Sequence, residues 1–469
     1  MIYHHLFSRA AKAKTSAALI GTGHFGVAVL TQSLETAYLD VPVIVDTNLD
    51  AARRTFEIAG ISMDSVAVCP DAARANDALA AGKRVILQDA MAVMELPVDT
   101  VVEATGNAEA GARHALAAIE AGKHVIMVNK ETDSCVGPYL ARLAAEKGVV
   151  CSPVDGDQHG ALIQMLEWAT ELGIKVIAAG KFRDAEFIHD RATGTVTCYK
   201  DEVTIPETKT VRLAPGDLEF IDPFADGRQA EVMKKRKEIF AGLDPAGGFD
   251  LCEMVIAVNS SDLFPEVPEL HDYVLRASEI PRVLCEKTSG GLLEKPGVGE
   301  VVTCFHEPHE AGMGGGVFMV VTCDNAYSQH ILSTKGCLSS SDGKCSLIYR
   351  PYHLCGVEAA TSILCAGLLG VATGPIHYRQ RFDIAQTAAC DLAAGEKMGN
   401  DHDPRLKTVM IPMSPIEAGG PIPAHMLSGL RLNRDVKAGT VITYGMVDRP
   451  TDSLLWNLRA KQDKIYSNS

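Results

Sequence analysis

A lysine closes an apolar run in the stretch GKHVIMVNKETD (122–133), where strand-forming residues lead to Asn129 and then Lys130. An ammonium group so placed can hold a substrate oxygen, or give it a proton, while hydride moves at the neighbouring carbon. A second lysine, Lys181, stands in the same relation to the apolar run IKVIAAGK (174–181). Arg350 and His353 sit together in YRPYHL (349–354). A guanidinium can clamp a carboxylate or phosphate through two parallel bonds, and an imidazole titrates near neutrality. Asp155 and Asp157 flank the turn VDGD (154–157) and are candidate cleft carboxylates; Asp157 is also a natural N-cap for the amphipathic segment after it, and His159 lies beside the same turn.

Hydride chemistry needs a cofactor and a scaffold. SAALIG (16–21) is a short apolar run that passes at once into Gly21-Thr-Gly23-His24-Phe25-Gly26. A helix-like segment follows, then a second apolar run, VPVIVD, ending at Asp46. Strand, glycine turn, helix, strand and acid in this order match the βαβ dinucleotide fingerprint. Gly21 permits the tight turn, Gly23 lets backbone approach a pyrophosphate, and Gly26 lets helix and strand pack closely. The amides of His24 and Phe25 lie at the helix N-terminus, where phosphates bind. Asp46, 20 residues beyond Gly26, is placed to accept bonds from ribose hydroxyls. A carboxylate there repels a 2′-phosphate, which favours NAD over NADP. Arg53 and Arg54 fall in the next helix and read as a solvated face.

The alternation continues through KRVILQD, VDTVVEATG (98–106), the helical AEAGARHALAAIEAG and KHVIMVNK. It predicts a doubly wound parallel α/β sheet, whose ligands lie beyond the carboxyl ends of the strands. Thr105 and Gly106, with Glu103 and Asn107, end one strand there, and Asn129 and Lys130 end the next. Thr105, Gly106 and Asn129 are therefore expected at the cofactor.

The chain has 469 residues, so two or three domains are expected. A formal charge of −15 argues against nucleic-acid or anionic-membrane partners. The 13 cysteines include no CxxC pair and read as reduced cytoplasmic thiols. The apolar run at 16–30 is broken by glycines and His24, so it is neither a signal core nor a membrane span. In PGVGEVVTCFHEPHEAGMGGG (296–316), Cys304, His306, Glu307, His309 and Glu310 are candidate metal ligands. Pro308 breaks any helix that would align the histidines, so a glycine-rich loop without metal is expected. The basic run MKKRKEIF reads as a solvated helix face. The small-residue helix at 357–371 is expected in the core or at a subunit contact.

GTGHFG, VVEATGNAEAG, GKHVIMVNKETD and VDGDQHGALIQMLEWATELGIKVIAAGK, with YRPYHL, which is more specific than the glycine fingerprint, resemble the homoserine-dehydrogenase-like oxidoreductases that carry a C-terminal SAF domain. That group includes deoxyxylulose-phosphate reductoisomerase-like enzymes. The resemblance implies a Rossmann domain over 1–155 and an α+β substrate and oligomerisation domain over 156–378, with 185–245 as an insertion. A small β-rich SAF domain would span 379–469, built on the strand-turn-strand segments DLAAGEKM and DVKAGTVITYGMV. It also implies that Lys130 acts on substrate and that Lys181, Arg350 and His353 lie in the active-site region. The expected protein is a cytoplasmic, homo-oligomeric NAD(P)-dependent dehydrogenase or reductase acting on a small polar, anionic hydroxy or carbonyl compound. The alternatives are a reductoisomerase-like enzyme, with NADPH and a metal, or a dinucleotide-binding sensor without turnover.

Overall fold

The computed structural model describes residues 2–201, 205–243 and 249–467. The first apolar runs assemble into one parallel sheet of seven strands, β1 (Thr15–Ile20), β2 (Leu39–Val45), β3 (Val66–Val68), β4 (Arg84–Leu87), β5 (Thr100–Glu103), β6 (His124–Met127) and β7 (Cys151–Pro153). Their order is β3-β4-β2-β1-β5-β6-β7. The order reverses between β1 and β5, and a crevice opens there at the carboxyl ends of the strands.

Both faces of this sheet are covered, which is why its strands read as continuous apolar runs rather than alternating ones. Ala17 and Leu19 enter one core with Leu30, Phe56 and Ile363, while Ala18 and Ile20 enter the other with Ala112, Val136 and Trp456. Each fully buried Leu, Ile or Val contributes about 1.5–3 kcal/mol relative to an exposed one. The small-residue helix runs Ala359–Leu364 and continues as a wider turn to Leu369. It lies in the core against β1 and β2.

A second, mixed sheet of nine strands carries the middle of the chain. Lys175–Phe182 runs parallel to Val298–His306 and antiparallel to Val317–Thr322, which pairs with Ser346–Arg350. The helices Gln158–Glu171 and Phe249–Asn259 cover one face. The segment read as an insertion extends this sheet through Phe187–Asp190, Thr195–Cys198 and Lys209–Arg212, and adds the helix Gln229–Ile239. Its residues 202–204 and 244–245 lie outside the described ones.

The basic run on that helix is not uniformly solvated as expected. Arg236 is 0% exposed and forms a bidentate pair with Glu279 at 2.5 and 2.8 Å. It shares the inner side with Val232 and Met233, and the buried charge is tolerated because a matched carboxylate meets it. Lys234 and Lys237, on the outer side, remain exposed.

The last hundred residues form an antiparallel pair, Phe382–Ala388 with Leu406–Pro412. The two Ala-Gly turn segments lie side by side through a bridge between Leu392 and Val436. The chain then closes with the helix Leu454–Tyr466, capped by Ser453. Glu109 accepts from Ser453 Oγ at 2.6 Å and from the Leu454 amide at 2.7 Å. Arg459, 0% exposed, pairs with Asp383 at 2.6 and 2.7 Å. Leu392, Met398, Ile442 and Trp456 enter the same core as the parallel sheet, so this stretch acts as a packing surface for the nucleotide-binding fold. All 13 cysteines are free thiols. Among the described residues, no helix is long and apolar enough to cross a membrane.

Candidate functional site

The glycine turn lies at the crevice. Gly21 has φ +99°, and a Cβ on it would meet the Ala104 carbonyl oxygen at 2.5 Å. A Cβ on Gly26 would meet the Gly21 carbonyl oxygen at 2.3 Å, so only glycine lets the helix start so close to β1. Gly23 caps the helix His24–Ser33 and faces open space, with His24 exposed and Phe25 half-buried. Open backbone at a helix N-terminus at the switch point fits a dinucleotide pyrophosphate. Asp46 follows the last residue of β2 and grips this turn. One carboxylate oxygen accepts from the Thr22 amide and hydroxyl at 2.9 and 2.5 Å, and the other from the Asn48 amide at 2.8 Å.

Thr105 and Gly106 are exposed beyond the end of β5, and Thr105 donates to Glu103 at 2.6 Å. Asn129 is buried and crosslinks the neighbouring ends. Its amide nitrogen donates to Thr105 Oγ1 at 3.2 Å and to the Asn107 carbonyl at 3.0 Å, and its oxygen caps the next helix through the Thr132 amide. A cavity of about 630 Å³ opens beside Gly106, Asn107 and Glu131, with His425 and Trp456 of the C-terminal stretch in its wall.

Lys130 differs from expectation in its element. The strand stops at Met127, and Lys130 is the first residue of the helix Lys130–Glu146. Asn129 is what ends the strand, because its side chain is spent on the cap. The Lys130 ammonium, 24% exposed, contacts Glu253 directly and lies 3.4 Å from Asp157. Glu253 also contacts Lys181, which lies 2.8 Å from Asp250. Asp250 pairs with Arg183 at 2.5 Å, and Arg183 with Asp272 at 3.0 Å. The result is a chain of alternating charge: Asp157, Lys130, Glu253, Lys181, Asp250, Arg183 and Asp272.

Local periodicity builds this chain. Asp250 and Glu253, three apart on the helix Phe249–Asn259, share one face. Lys181 and Arg183, two apart along an extended segment, point the same way. Burial opposes the charge of Asp157 and Asp250, yet Lys130 above all holds the Asp157 carboxyl well below its usual range, and Lys181 above all lowers that of Asp250. Asp157 and Glu253 in turn raise the Lys130 ammonium well above the ordinary lysine value. Lys130 is therefore a permanent cation near neutrality. It suits electrostatic stabilisation of an oxyanion better than proton delivery.

The structure brings Lys130, Asp157 and Lys181 together, with Lys181 1% exposed behind Glu253. Asp157 also caps its helix through the Gln158 amide at 2.8 Å. His159, buried next to Asp157 at 3.9 Å, has neither ring nitrogen hydrogen-bonded among the described residues; burial pushes its pKa down. Asp155 is 4% exposed, and burial pushes its carboxyl up to about 7.

Arg350 ends the strand Ser346–Arg350, and His353 lies in the loop after it, which touches both the glycine-turn helix and the VDGD turn. A Cβ on Gly356 would sit 2.6 Å from the Phe25 carbonyl oxygen. Arg350 is paired with Glu358 and stacks on Tyr352 at 4.7 Å. His353 Nδ1 lies 2.5 Å from the Gly315 carbonyl, with Cys355 Sγ 3.0 Å from Nε2. The imidazole adds to the field that lowers Asp157. Cys304 and His306 stand on the strand Val298–His306, where His306 Nε2 lies 3.6 Å from Glu186.

Asp250, Glu253 and Arg183 are absent from the expectations above. Their signal is visible in retrospect: two acids three apart interrupt the otherwise apolar FDLCEMVIAVN.

Comparison with known proteins divides along the same line. Residues 44–150 match the homoserine dehydrogenase NAD-binding domain family, and residues 243–359 match the catalytic domain of oxidoreductase DRL. The first match contains Asp46, Thr105, Asn129 and Lys130, the second Asp250, Glu253, Arg350 and His353. The stretch from 379 onward lies outside both. The chain is 41% identical over 96 residues to the 1-deoxy-D-xylulose 5-phosphate reductoisomerase of Leptospira biflexa serovar Patoc, covering 19% of this chain and 24% of that one. It is 48% identical over 69 residues to the enzyme of the same name from Chlorobium chlorochromatii, covering 15% and 18%. The chain thus spans about a quarter or less of the length of these curated relatives. Among solved structures, the reductoisomerase from Zymomonas mobilis in complex with NADPH is 22% identical, with coverage of 36% and 46% and a TM-score of 0.27. GenD2 from gentamicin A biosynthesis, in complex with NAD, is 17% identical, with coverage of 38% and 46% and a TM-score of 0.27.

Proposed function

We propose that the protein is an NAD(P)-dependent oxidoreductase that exchanges hydride between a nicotinamide cofactor and a small polar, anionic hydroxy or carbonyl compound. The observation that carries this reading is the position of Lys130. It joins the crevice edge of the nucleotide-binding sheet to Asp157 and Glu253 of the middle segment, and it is the more exposed of the two lysines in the ion chain. The nicotinamide, when bound, supplies or accepts the hydride. Lys130 holds the substrate oxygen and stabilises negative charge on it, and Glu253 and Asp157 fix the ammonium in place. Lys181, out of reach of the cleft, positions Glu253. Arg350 meets an anionic group of the substrate, and His353 orients it from the loop that follows. Asp46 favours NAD, because a second phosphate beside its carboxylate would be repelled.

A second reading, a reductoisomerase-like reaction with an acyl shift before reduction, rests on the names of the curated relatives. It calls for NADPH and a metal. Asp157, Glu253 and Asp250 are already compensated by Lys130, Lys181 and Arg183, so a metal on these three would have to displace those cations. No group of three metal-ligating side chains converges among the described residues.

Paired fluorescence titrations with NADH and NADPH separate the two readings. The native protein is expected to bind NADH about tenfold more tightly, and Asp46→Ala to erase the difference. Tighter binding of NADPH would overturn the role given to Asp46 and make the phosphorylated ketose the first substrate to test.

A further inference from the structure

The lysines of the run MKKRKEIF that stay exposed do not simply face water. Lys234 and Lys237 stand at the mouth of a second cavity, of about 830 Å³, in the middle segment. Lys287 and Lys407 complete its rim. Among the described residues, Lys234, Lys237 and Lys407 are in no ion pair within 4 Å with a residue of opposite charge, while Lys287 meets Glu294. Three uncompensated lysines, Lys234, Lys237 and Lys407, around one opening run against a chain whose net charge is −15. They produce a local positive potential that raises the concentration of anions at the mouth.

The interior is aromatic. The rings of His271 and Tyr273 stack with centroids 5.0 Å apart and an angle of 11°, and Phe187 meets Phe240 edge-on at 5.5 Å. Met233 and Leu270 add apolar surface. The wall is rigid where it matters. Leu270 and Asp272 take left-handed backbone conformations, with φ of 58° and 52°, the only residues other than glycine to do so among those described. Such strain persists only where surrounding contacts hold it. Here the Asp272 carboxylate is clamped by Arg183 through two bonds of 3.0 Å, and the His271 and Asp272 amides donate to Glu300. The Asp272 carboxylate is thereby neutralised from behind; the unfavourable charges that remain are Glu269 in the lining and Glu266, 3.5 Å from His271 Nε2.

The geometry points to a binding site for a planar, anionic small molecule, its ring against the His271–Tyr273 wall and its phosphate, sulfonate or carboxylate among the lysines. The site is separate from the Lys130 cleft, with Arg183 between the two, and it does not depend on the redox reading.

The test uses the full native chain with 8-anilinonaphthalene-1-sulfonate as probe, then displacement by phenyl phosphate or by phenol. Saturable probe fluorescence is expected, displaced by phenyl phosphate and not by phenol at equal concentration. The double variant Lys234→Glu, Lys407→Glu should weaken phenyl phosphate at least about tenfold. Ala241→Trp, which places a ring at the exposed mouth without touching the core, should abolish probe binding while circular dichroism stays native. Probe fluorescence unchanged in both variants, or phenol displacing as well as phenyl phosphate, would show an unspecific apolar surface and overturn the assignment. Absence of saturable binding to the native chain would overturn it as well.

Discussion

Glu253 is the carboxylate on which two lysines converge, so its charge can be removed while its shape is kept. Glu253→Gln leaves Lys181 with Asp250 at 2.8 Å, and Lys130 with only Asp157 at 3.4 Å. Two unit charges about 4 Å apart interact by about 4 kcal/mol at an effective dielectric constant near 20. Water entering the loosened site returns part of it, and the Lys130 pKa is therefore expected to fall. Below its pKa, the fraction of free amine rises about tenfold for each unit lost. The assay is acetylation by dilute acetic anhydride at alkaline pH, quantified by mass spectrometry on the peptide containing Lys130. Lys181, 1% exposed, is the internal control that stays unlabelled, and the exposed Lys234 sets the full rate. Lys130 should label at least about tenfold faster in the variant than in the native chain. Equal rates would mean that Glu253 does not hold the ammonium, and the electrostatic account of the site would fall.

Two further outcomes follow from the same geometry. Gly26→Ala places a Cβ 2.3 Å from the Gly21 carbonyl oxygen and must push the helix off β1; NADH affinity should drop at least about tenfold while the fold, read by circular dichroism, persists. Burial pushes the carboxyls of Asp133 and Asp155 up to about 7, so between about pH 4 and 7 the folded chain holds protons that the unfolded chain has released. Their contribution to stability is therefore lost as pH rises through that window, by up to about 4 kcal/mol for each group at about 1.4 kcal/mol per unit. Asp155→Asn removes one of these terms, and its urea midpoint should fall less between pH 5 and pH 8 than that of the native chain. An identical fall would place the Asp155 titration in the ordinary carboxylate range.

The nucleotide-binding half was legible because its signals are local. GTGHFG and the apolar runs each set their own element, and the order of the elements set the sheet; Asp157 announced the helix after it in the same local way. Lys130 could be placed at the crevice edge for the same reason. Its helical position could not, because the strand stops at Met127 and Asn129, read as a strand end, is the cap of the next helix. The ion chain was less visible, since Lys181 and Asp250 are 69 positions apart in sequence and meet only through a sheet and a helix packed on it. Arg236 shows the converse: a charge run looks solvated until tertiary packing supplies Glu279 for one of its members. The path of the C-terminal stretch, with Trp456 in the core of the parallel sheet, follows from contacts that no local pattern encodes.

The most direct test of the central claim is turnover of Lys130→Met beside the native protein, with cofactor affinity measured on both. The comparison uses whichever member of a panel of hydroxy acids, polyols and homoserine the native chain oxidises. Loss of a preorganised cation at a developing oxyanion costs about 10²–10³ in rate. The account predicts that loss together with NADH affinity unchanged within about twofold. Native turnover in Lys130→Met would contradict it.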